Sequence, residues 1–292
     1  MKPLKKLGVW AEGARPKTIP AAIVPVLVGT SSVETDFKLL RFLLALAVSV
    51  ALQIGVNYAN DYSDGVRGTD QDRLGPRRLV GSKLVEPSKV KFAASISFLI
   101  AAIAGLILAV ITSLWLVAVG FVAILAAWFY TGGSKPYGYS GYGEISVFIF
   151  FGLDATVGSA FAQTETIETQ SIICSIPVGL LASALLVINN FRDIETDSKT
   201  GKQTLAVRLG KSKTQVLYAL MLLGAVGTYV VIAFLYTLLS LIAVAVLPLC
   251  LRLIYNIYSK ESSQDLIKIL ENTAKLHLLA GLLLSTGLVI GL

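Results

Sequence analysis

Two acidic stretches close two strongly apolar segments, and their residue types and spacing suit the binding of a hard cation with an anionic ligand. The first, residues 53–72, reads QIGVNYANDYSDGVRGTDQD, and the second, residues 189–197, reads NNFRDIETD. At about 100° per residue, Gln53, Asn57, Asn60, Asp61 and Asp64 share one arc of roughly 80–100° on a helix. Asn189, Asp193 and Asp197 follow at i, i+4 and i+8, which stacks them along one face in the same way. Carboxylates are hard oxygen ligands, and Mg²⁺ takes one or two of them together with water and phosphate oxygens. Two such faces turned toward each other could hold Mg²⁺ ions that in turn hold a diphosphate. Bases suited to that anion lie nearby: Arg67, Arg73, Arg77 and Arg78 after the first stretch, and Arg192, Lys199 and Lys202 in and after the second. Charges at helix ends are commonly only solvated. Two stretches with matched amide and carboxylate spacing favour a site over that reading.

The elements that position these faces are expected to be membrane helices. The 292 residues are 55% hydrophobic, with a mean hydropathy of +0.74, far above a soluble domain. A span needs about 20 apolar residues. Nine such stretches can be placed, at about 17–35, 39–60, 90–111, 113–130, 145–163, 171–190, 213–235, 238–257 and 274–291. Of the 25 Lys and Arg residues, all but Lys38 and Arg41 fall at the N-terminus or on alternate connections. The excess marks cytoplasmic loops, so the N-terminus is expected inside, the C-terminus outside, and both acidic stretches on the cytoplasmic face. That pattern also accounts for the formal net charge of +7, which removes nucleic acid as a partner. The basic start followed by a span gives no cleavable leader, and one membrane domain over residues 1–292 is expected. Cys174 and Cys250 each lie in an apolar run, which argues against a disulfide framework or a Cys-based metal site. Asn60 and Asp64 recur as Asn189 and Asp193 at an offset of 129 residues, a faint hint of two four-span halves plus a ninth helix.

Other residues admit two readings each. Arg15, in RPKT before the first span, either contacts a phosphate or fixes topology. His277 fits an interfacial residue at the start of the last span better than a base, and with no second histidine no His-centred metal site or triad can form. Asp154 stands near the middle of the fifth span, where a carboxylate is costly and usually faces a cavity or a partner. It either lines the substrate cavity or packs between helices beside Thr156 or Ser159.

The stretch NDYSDGVRGTD with Arg73 and GPRR after it, the loop YTGGSKPYGYSGYGE, and NNFRDIETDSKTGKQTLAVRLG together resemble the UbiA superfamily of intramembrane prenyltransferases. The likeness covers essentially the whole chain and is strongest to the menaquinone branch, the 1,4-dihydroxy-2-naphthoate polyprenyltransferases. It implies an all-α polytopic protein with nine transmembrane helices around a central cavity. Asn60 and Asp64, then Asn189, Asp193 and Asp197, match the motifs that bind Mg²⁺ and the prenyl diphosphate in that family. A further Asp commonly follows four residues after the position of Asp64; here that position is Gly68 and the next acid is Asp70. That shift is itself what the naphthoate branch looks like and makes Asp70 a candidate ligand, while Asp61 is either a ligand or a support. Residues 130–144, with five glycines, either anchor and turn at the interface or, as the resemblance implies, cap the site with Tyr130 and Lys135 toward the diphosphate or the acceptor and Tyr137 beside them.

The activity implied is Mg²⁺-dependent transfer of a polyprenyl group from polyprenyl diphosphate to 1,4-dihydroxy-2-naphthoate, with loss of CO₂ and diphosphate, giving demethylmenaquinone. Membrane lipid and the two substrates are the expected partners, no protein partner is required, and a bacterial cell membrane is the expected location. A related enzyme acting on 4-hydroxybenzoate, homogentisate or haem is the alternative within the class. An ion-coupled transporter is the alternative outside it. Transport sites lie near the midplane, and these acids cluster at helix ends.

Overall fold

The computed structural model describes residues 3–69, 77–260 and 262–291. Every regular element among them is helical. Helix α1 (Pro3–Ala14) precedes a 3₁₀ turn over Pro16–Thr18 and α2 (Pro20–Ser31). Helices α3 (Leu39–Arg67), α4 (Pro87–Val110) and α5 (Leu116–Phe129) follow. One span, Gly143–Thr164, is built from α6 (Gly143–Val147), a π-helical segment over Phe148–Asp154 and α7 (Ala155–Thr164). Next come α8 (Thr169–Arg192), the short α9 (Ile194–Lys199) and α10 (Leu205–Leu235). A 3₁₀ segment over Leu238–Val246 leads into α11 (Leu247–Ser259), and α12 (Ser263–Gly291) completes the described chain.

Seven of the nine expected spans are helices long and apolar enough to cross a bilayer. The other two, α2 and α5, coincide with expected spans but have only 12 and 14 residues. At 1.5 Å per residue they rise about 18 and 21 Å, less than the roughly 30 Å apolar layer. The first is short because the chain turns at Arg15, whose φ of 54° is left-handed, and starts α2 only at Pro20. Large apolar side chains point outward, Phe121 being 63% and Phe234 75% exposed, as a lipid-facing surface requires and a soluble one would not tolerate in such numbers. The chain is an integral membrane protein.

Helix α8 lies at the centre, with 72% of its most apolar window buried. It packs on α10, α12, α2 and the π-helical segment. Gly152 and Gly179 let that last crossing close up: a Cβ on Gly152 would stand 2.6 Å from the Cα of Gly179. The main core joins α2, α8, α10, α11 and α12 through Val28, Leu181, Tyr218, Leu222, Leu253 and Leu284. A second core on the other side of the cavity holds α3 to α4 through Tyr58, Ala59, Val90 and Phe98.

The two cations outside the alternating pattern have structural work at the end opposite the acidic motifs. Arg41 donates to the carbonyls of Ile111 (2.7 Å) and Ala162 (3.0 Å) and to Glu165 (2.8 Å). It thereby satisfies exposed carbonyls at the ends of α4 and α7, where a cation suits the helix dipole. The Lys38 ammonium donates to the Gln163 carbonyl, and its backbone N–H to Gln163 Oε1 at 2.9 Å. His277 differs from its expected interfacial place: α12 begins at Ser263, well before the apolar run, which carries the imidazole into the bundle where it is fully buried.

Candidate functional site

Helix α3 carries its polar face beyond the apolar run and stops at Gly68, whose φ of 73° allows its N–H to bond the carbonyls of Asp64 and Gly65. A glycine in that place is a helix terminator. An aspartate there would have to adopt the same left-handed backbone. The amides of the α3 face hold the RPKT turn: Asn57 donates to the Ala14 carbonyl (2.9 Å) and to Thr18 Oγ1 (3.1 Å), and Gln53 to Thr18 Oγ1 (2.8 Å). The turn directs Arg15 to the wall of a cavity, and its Nη2 is buried with no hydrogen-bond partner among the described residues.

Helix α8 ends one residue before its first aspartate. Asp193 breaks the helix with φ −97° and ψ 6°, so Asn189, Asp193 and Asp197 do not continue as one stack. The Asp193 carboxylate accepts from Arg192 Nε and Nη2, both at 2.8 Å, and Arg192 Nη2 also donates to Asn189 Oδ1 at 3.0 Å. Asp197 sits on α9, and the chain returns through Gly201 so that the Lys202 N–H bonds the Asp197 carbonyl at 2.9 Å. Lys202 then reaches both motifs, its Nζ lying 3.3 Å from Asp64 Oδ1 and 3.9 Å from Asp197 Oδ1. One buried ammonium thus stands between a carboxylate of α3 and a carboxylate of α9.

The glycine-rich loop closes over this point. Tyr139 donates its hydroxyl to Asp64 Oδ1, its ring lies 4.7 Å from Lys202 Nζ, and its carbonyl accepts from Gln203 N at 2.8 Å. Burial, with the Asp64 carboxylate second, raises the Tyr139 phenol well above its ordinary value. It therefore stays a neutral donor. Asn60 Oδ1 accepts from Thr131 Oγ1 at 2.7 Å. Tyr137 donates to the Ala126 carbonyl and shares a bond with Ser146 at 3.0 Å, and its ring meets Tyr130 edge to face at 5.5 Å.

Beneath the loop lies a cavity of about 870 Å³. Asn60, Asp64, Arg77, Arg192, Asp197 and Lys202 line its polar mouth, and Leu108, Leu116, Ala123, Phe150, Phe151 and Leu185 line its apolar body. Arg15, Asn57, Tyr130, Tyr137 and Asn189 border it as well, as does Asp154 at the end of the π-helical segment. π-Helical turns recur at functional sites.

Five of the expected site residues do not line the cavity. Asp61 is fully buried and accepts from the backbone N–H groups of Leu79 (2.8 Å) and Val80 (2.9 Å), so its carboxylate anchors the segment before α4. Arg67 is exposed and donates to the carbonyls of Thr131 and Gly133, holding the base of the loop. Asp193 is held on Arg192, and Lys135 and Lys199 are exposed. Asp70 and Arg73 lie outside the described residues. Thr18, Thr131, Asn190 and Glu144 carry no sequence signal beyond closeness to a motif or loop already named.

The residues at the mouth fit a divalent cation. Among the described residues no three His, Cys, Asp or Glu side chains converge. Mg²⁺, however, needs only one or two carboxylates plus water and phosphate oxygens, and the amide oxygen of Asn60 adds a neutral donor beside Asp64 and Asp197.

Residues 21–279 match the model of the UbiA prenyltransferase family. The chain belongs to that family. It is 45% identical over 284 residues to a 1,4-dihydroxy-2-naphthoate octaprenyltransferase of Mycobacterium tuberculosis, covering 97% of both chains, and 37% identical to one of Haemophilus influenzae, covering 98% of this chain and 97% of that one. Among solved structures, a UbiA homolog of Archaeoglobus fulgidus bound to GPP and Mg²⁺ matches the fold at a TM-score of 0.69 and 14% identity, over 95% of this chain and 99% of that one. The arrangement described above is therefore that of a membrane-embedded UbiA prenyltransferase, with no strand among the described residues.

Proposed function

We propose that the protein transfers a polyprenyl group from polyprenyl diphosphate to 1,4-dihydroxy-2-naphthoate, with loss of CO₂ and diphosphate, in menaquinone biosynthesis. One observation carries this reading: two carboxylates from separate motifs meet a single buried lysine at the polar mouth of a cavity whose body is apolar. Such a space suits an amphiphile with a diphosphate head and a hydrocarbon tail. The naphthoate as acceptor is supported by the names of relatives at 45% and 37% identity.

In this reading Asp64, Asp197 and Asn60 would hold Mg²⁺, with Asp193, Asn189 and Asp70 as further candidate ligands. The bound cation supplies charge neutralisation to the departing diphosphate. Arg15 and Arg192 each keep a buried guanidinium nitrogen without a partner among the described residues, ready for anionic oxygens, and Lys202 adds a third cation. The allylic C–O bond breaks, its electron pair leaving with the diphosphate. The Tyr130 and Tyr137 rings offer their faces to the resulting cation, and the apolar wall keeps water from it. The ring carbon bearing the carboxylate forms the new C–C bond. The bond to the carboxylate then breaks, its electrons restore the aromatic ring and CO₂ departs, leaving the reduced form of demethylmenaquinone. Residues 1–292 act as one unit in a bacterial cell membrane, with the mouth toward the cytoplasm, a reading that the basic connections support.

Purified protein with Mg²⁺, radiolabelled polyprenyl diphosphate and either 1,4-dihydroxy-2-naphthoate or 4-hydroxybenzoate tests the reading. Labelled product with the naphthoate is expected, with CO₂ and diphosphate released in equal amounts. Product with 4-hydroxybenzoate alone would replace the acceptor, and no product with either would end the proposal.

A further inference from the structure

Behind the cavity wall, on the side of α8 that carries Asn190, lies a second carboxylate system. Glu144 is 4% exposed, sits in the first turn of α6 and accepts from Asn190 Nδ2 at 3.0 Å. Its other oxygen, Oε2, is buried with no hydrogen-bond partner among the described residues. The Ser183 hydroxyl fixes the same turn by donating to the Glu144 carbonyl at 3.1 Å, and the Tyr130 hydroxyl packs against Gly143, where a Cβ would lie 3.0 Å away. Asn190 borders the cavity, whereas Glu144 does not.

The Asn190 amide turns its nitrogen toward Glu144. That leaves Oδ1 as the atom it can present to the cavity. A lone acceptor oxygen is wrong for a diphosphate or a carboxylate, whose oxygens need donors. It is right for a hydroxyl. We infer that Asn190 Oδ1 receives a hydrogen bond from a ring hydroxyl of the prenyl acceptor, and that Glu144 is the positioning residue that sets the amide for it. The inference rests on the acceptor reading above and adds an orientation: the C4 hydroxyl faces α8, and the C1 hydroxyl with the neighbouring carboxylate faces away from Glu144.

Steady-state kinetics with each substrate varied in turn test this. Asn190→Ala and Glu144→Ala are expected to raise KM for 1,4-dihydroxy-2-naphthoate about tenfold, the cost of one lost hydrogen bond, with KM for polyprenyl diphosphate within about twofold. Glu144→Gln, whose amide oxygen still accepts from Asn190, restores most of the loss, and the double variant is no worse than Asn190→Ala. The two mono-O-methyl ethers of the acceptor probe the wild type directly as competitive inhibitors: one is expected to bind about tenfold more weakly than the other, and the gap to close in Asn190→Ala. Equal rises in both KM values, or ethers that inhibit the wild type equally, would overturn the inference while leaving the acceptor reading intact. A wild type that turns over no naphthoate would remove both.

Discussion

The ends of α3 and α8 look alike in sequence and differ in space. Asn60 and Asp64 repeat as Asn189 and Asp193, and both asparagines do border the cavity. Their aspartates part company. Asp64 turns inward to Tyr139 and Lys202, whereas Asp193 is held by both 2.8 Å bonds to Arg192. The carboxylate that faces Asp64 across Lys202 is Asp197, one helical turn later and on a different helix. The reason is local: α3 continues unbroken to a glycine cap, while α8 breaks at Asp193 and restarts as α9. Equal spacing yields equal direction only where the helix is continuous.

The largest effects should come from the two carboxylates that share Lys202. Asp64→Ala and Asp197→Ala are each expected to lower kcat/KM about 10³-fold, as loss of a charge-stabilising group at a reacting centre does, with little change in thermal stability. Asp193→Ala should lower kcat/KM less, about 10²-fold, but also leave the Arg192 charge buried without that partner. A fall of about 5 °C or more in Tm is expected for it alone, so a fluorescence-monitored melt separates the two motifs, and equal Tm values for Asp64→Ala and Asp193→Ala would erase the distinction. Lys202→Ala should cost about 10²-fold, seen mainly as a raised KM for polyprenyl diphosphate.

Tyr139→Phe should cost about tenfold through one lost bond to Asp64. The Tyr139 phenol is raised above its ordinary 10.0 by burial and by Asp64, so in the folded state the proton is held more tightly than in the unfolded chain. Its contribution to stability is full below about pH 10 and declines only above it. The pH–rate profiles of wild type and Tyr139→Phe should therefore share one shape between about pH 6 and 9, which parallel initial-rate series would check. The smallest effects belong to the exposed cations: Lys135→Ala and Lys199→Ala should stay within about threefold of wild type in the same assay.

Much of this was legible in the sequence because membrane solvation writes itself in long apolar runs and in the placement of Lys and Arg. The apolar segments, seven of which are helices long enough to cross a bilayer, followed from such signals, whereas the loop as a cap followed from the resemblance to the family. What did not follow depended on single backbone breaks and on side-chain direction. The 3₁₀ turn after Arg15 shortens α2, the break at Asp193 unstacks the second motif, and the π-helical segment sets Asp154 on the cavity wall. Asp61, adjacent to Asn60 and on the same arc, turns instead to two backbone N–H groups. Glu144 escaped notice because a glutamate closing a glycine loop carries no spacing signal, and only its contact with Asn190 gives it meaning.

Mg²⁺-dependent binding of an inert prenyl thiodiphosphate to purified wild type, Asp64→Ala and Asp197→Ala, measured by calorimetry, tests the shared site most directly. Tight binding that requires Mg²⁺ in the wild type and is lost in both variants is the predicted result. Binding undiminished by chelator, or retained in either variant, would contradict a single cation and diphosphate site shared by the two motifs.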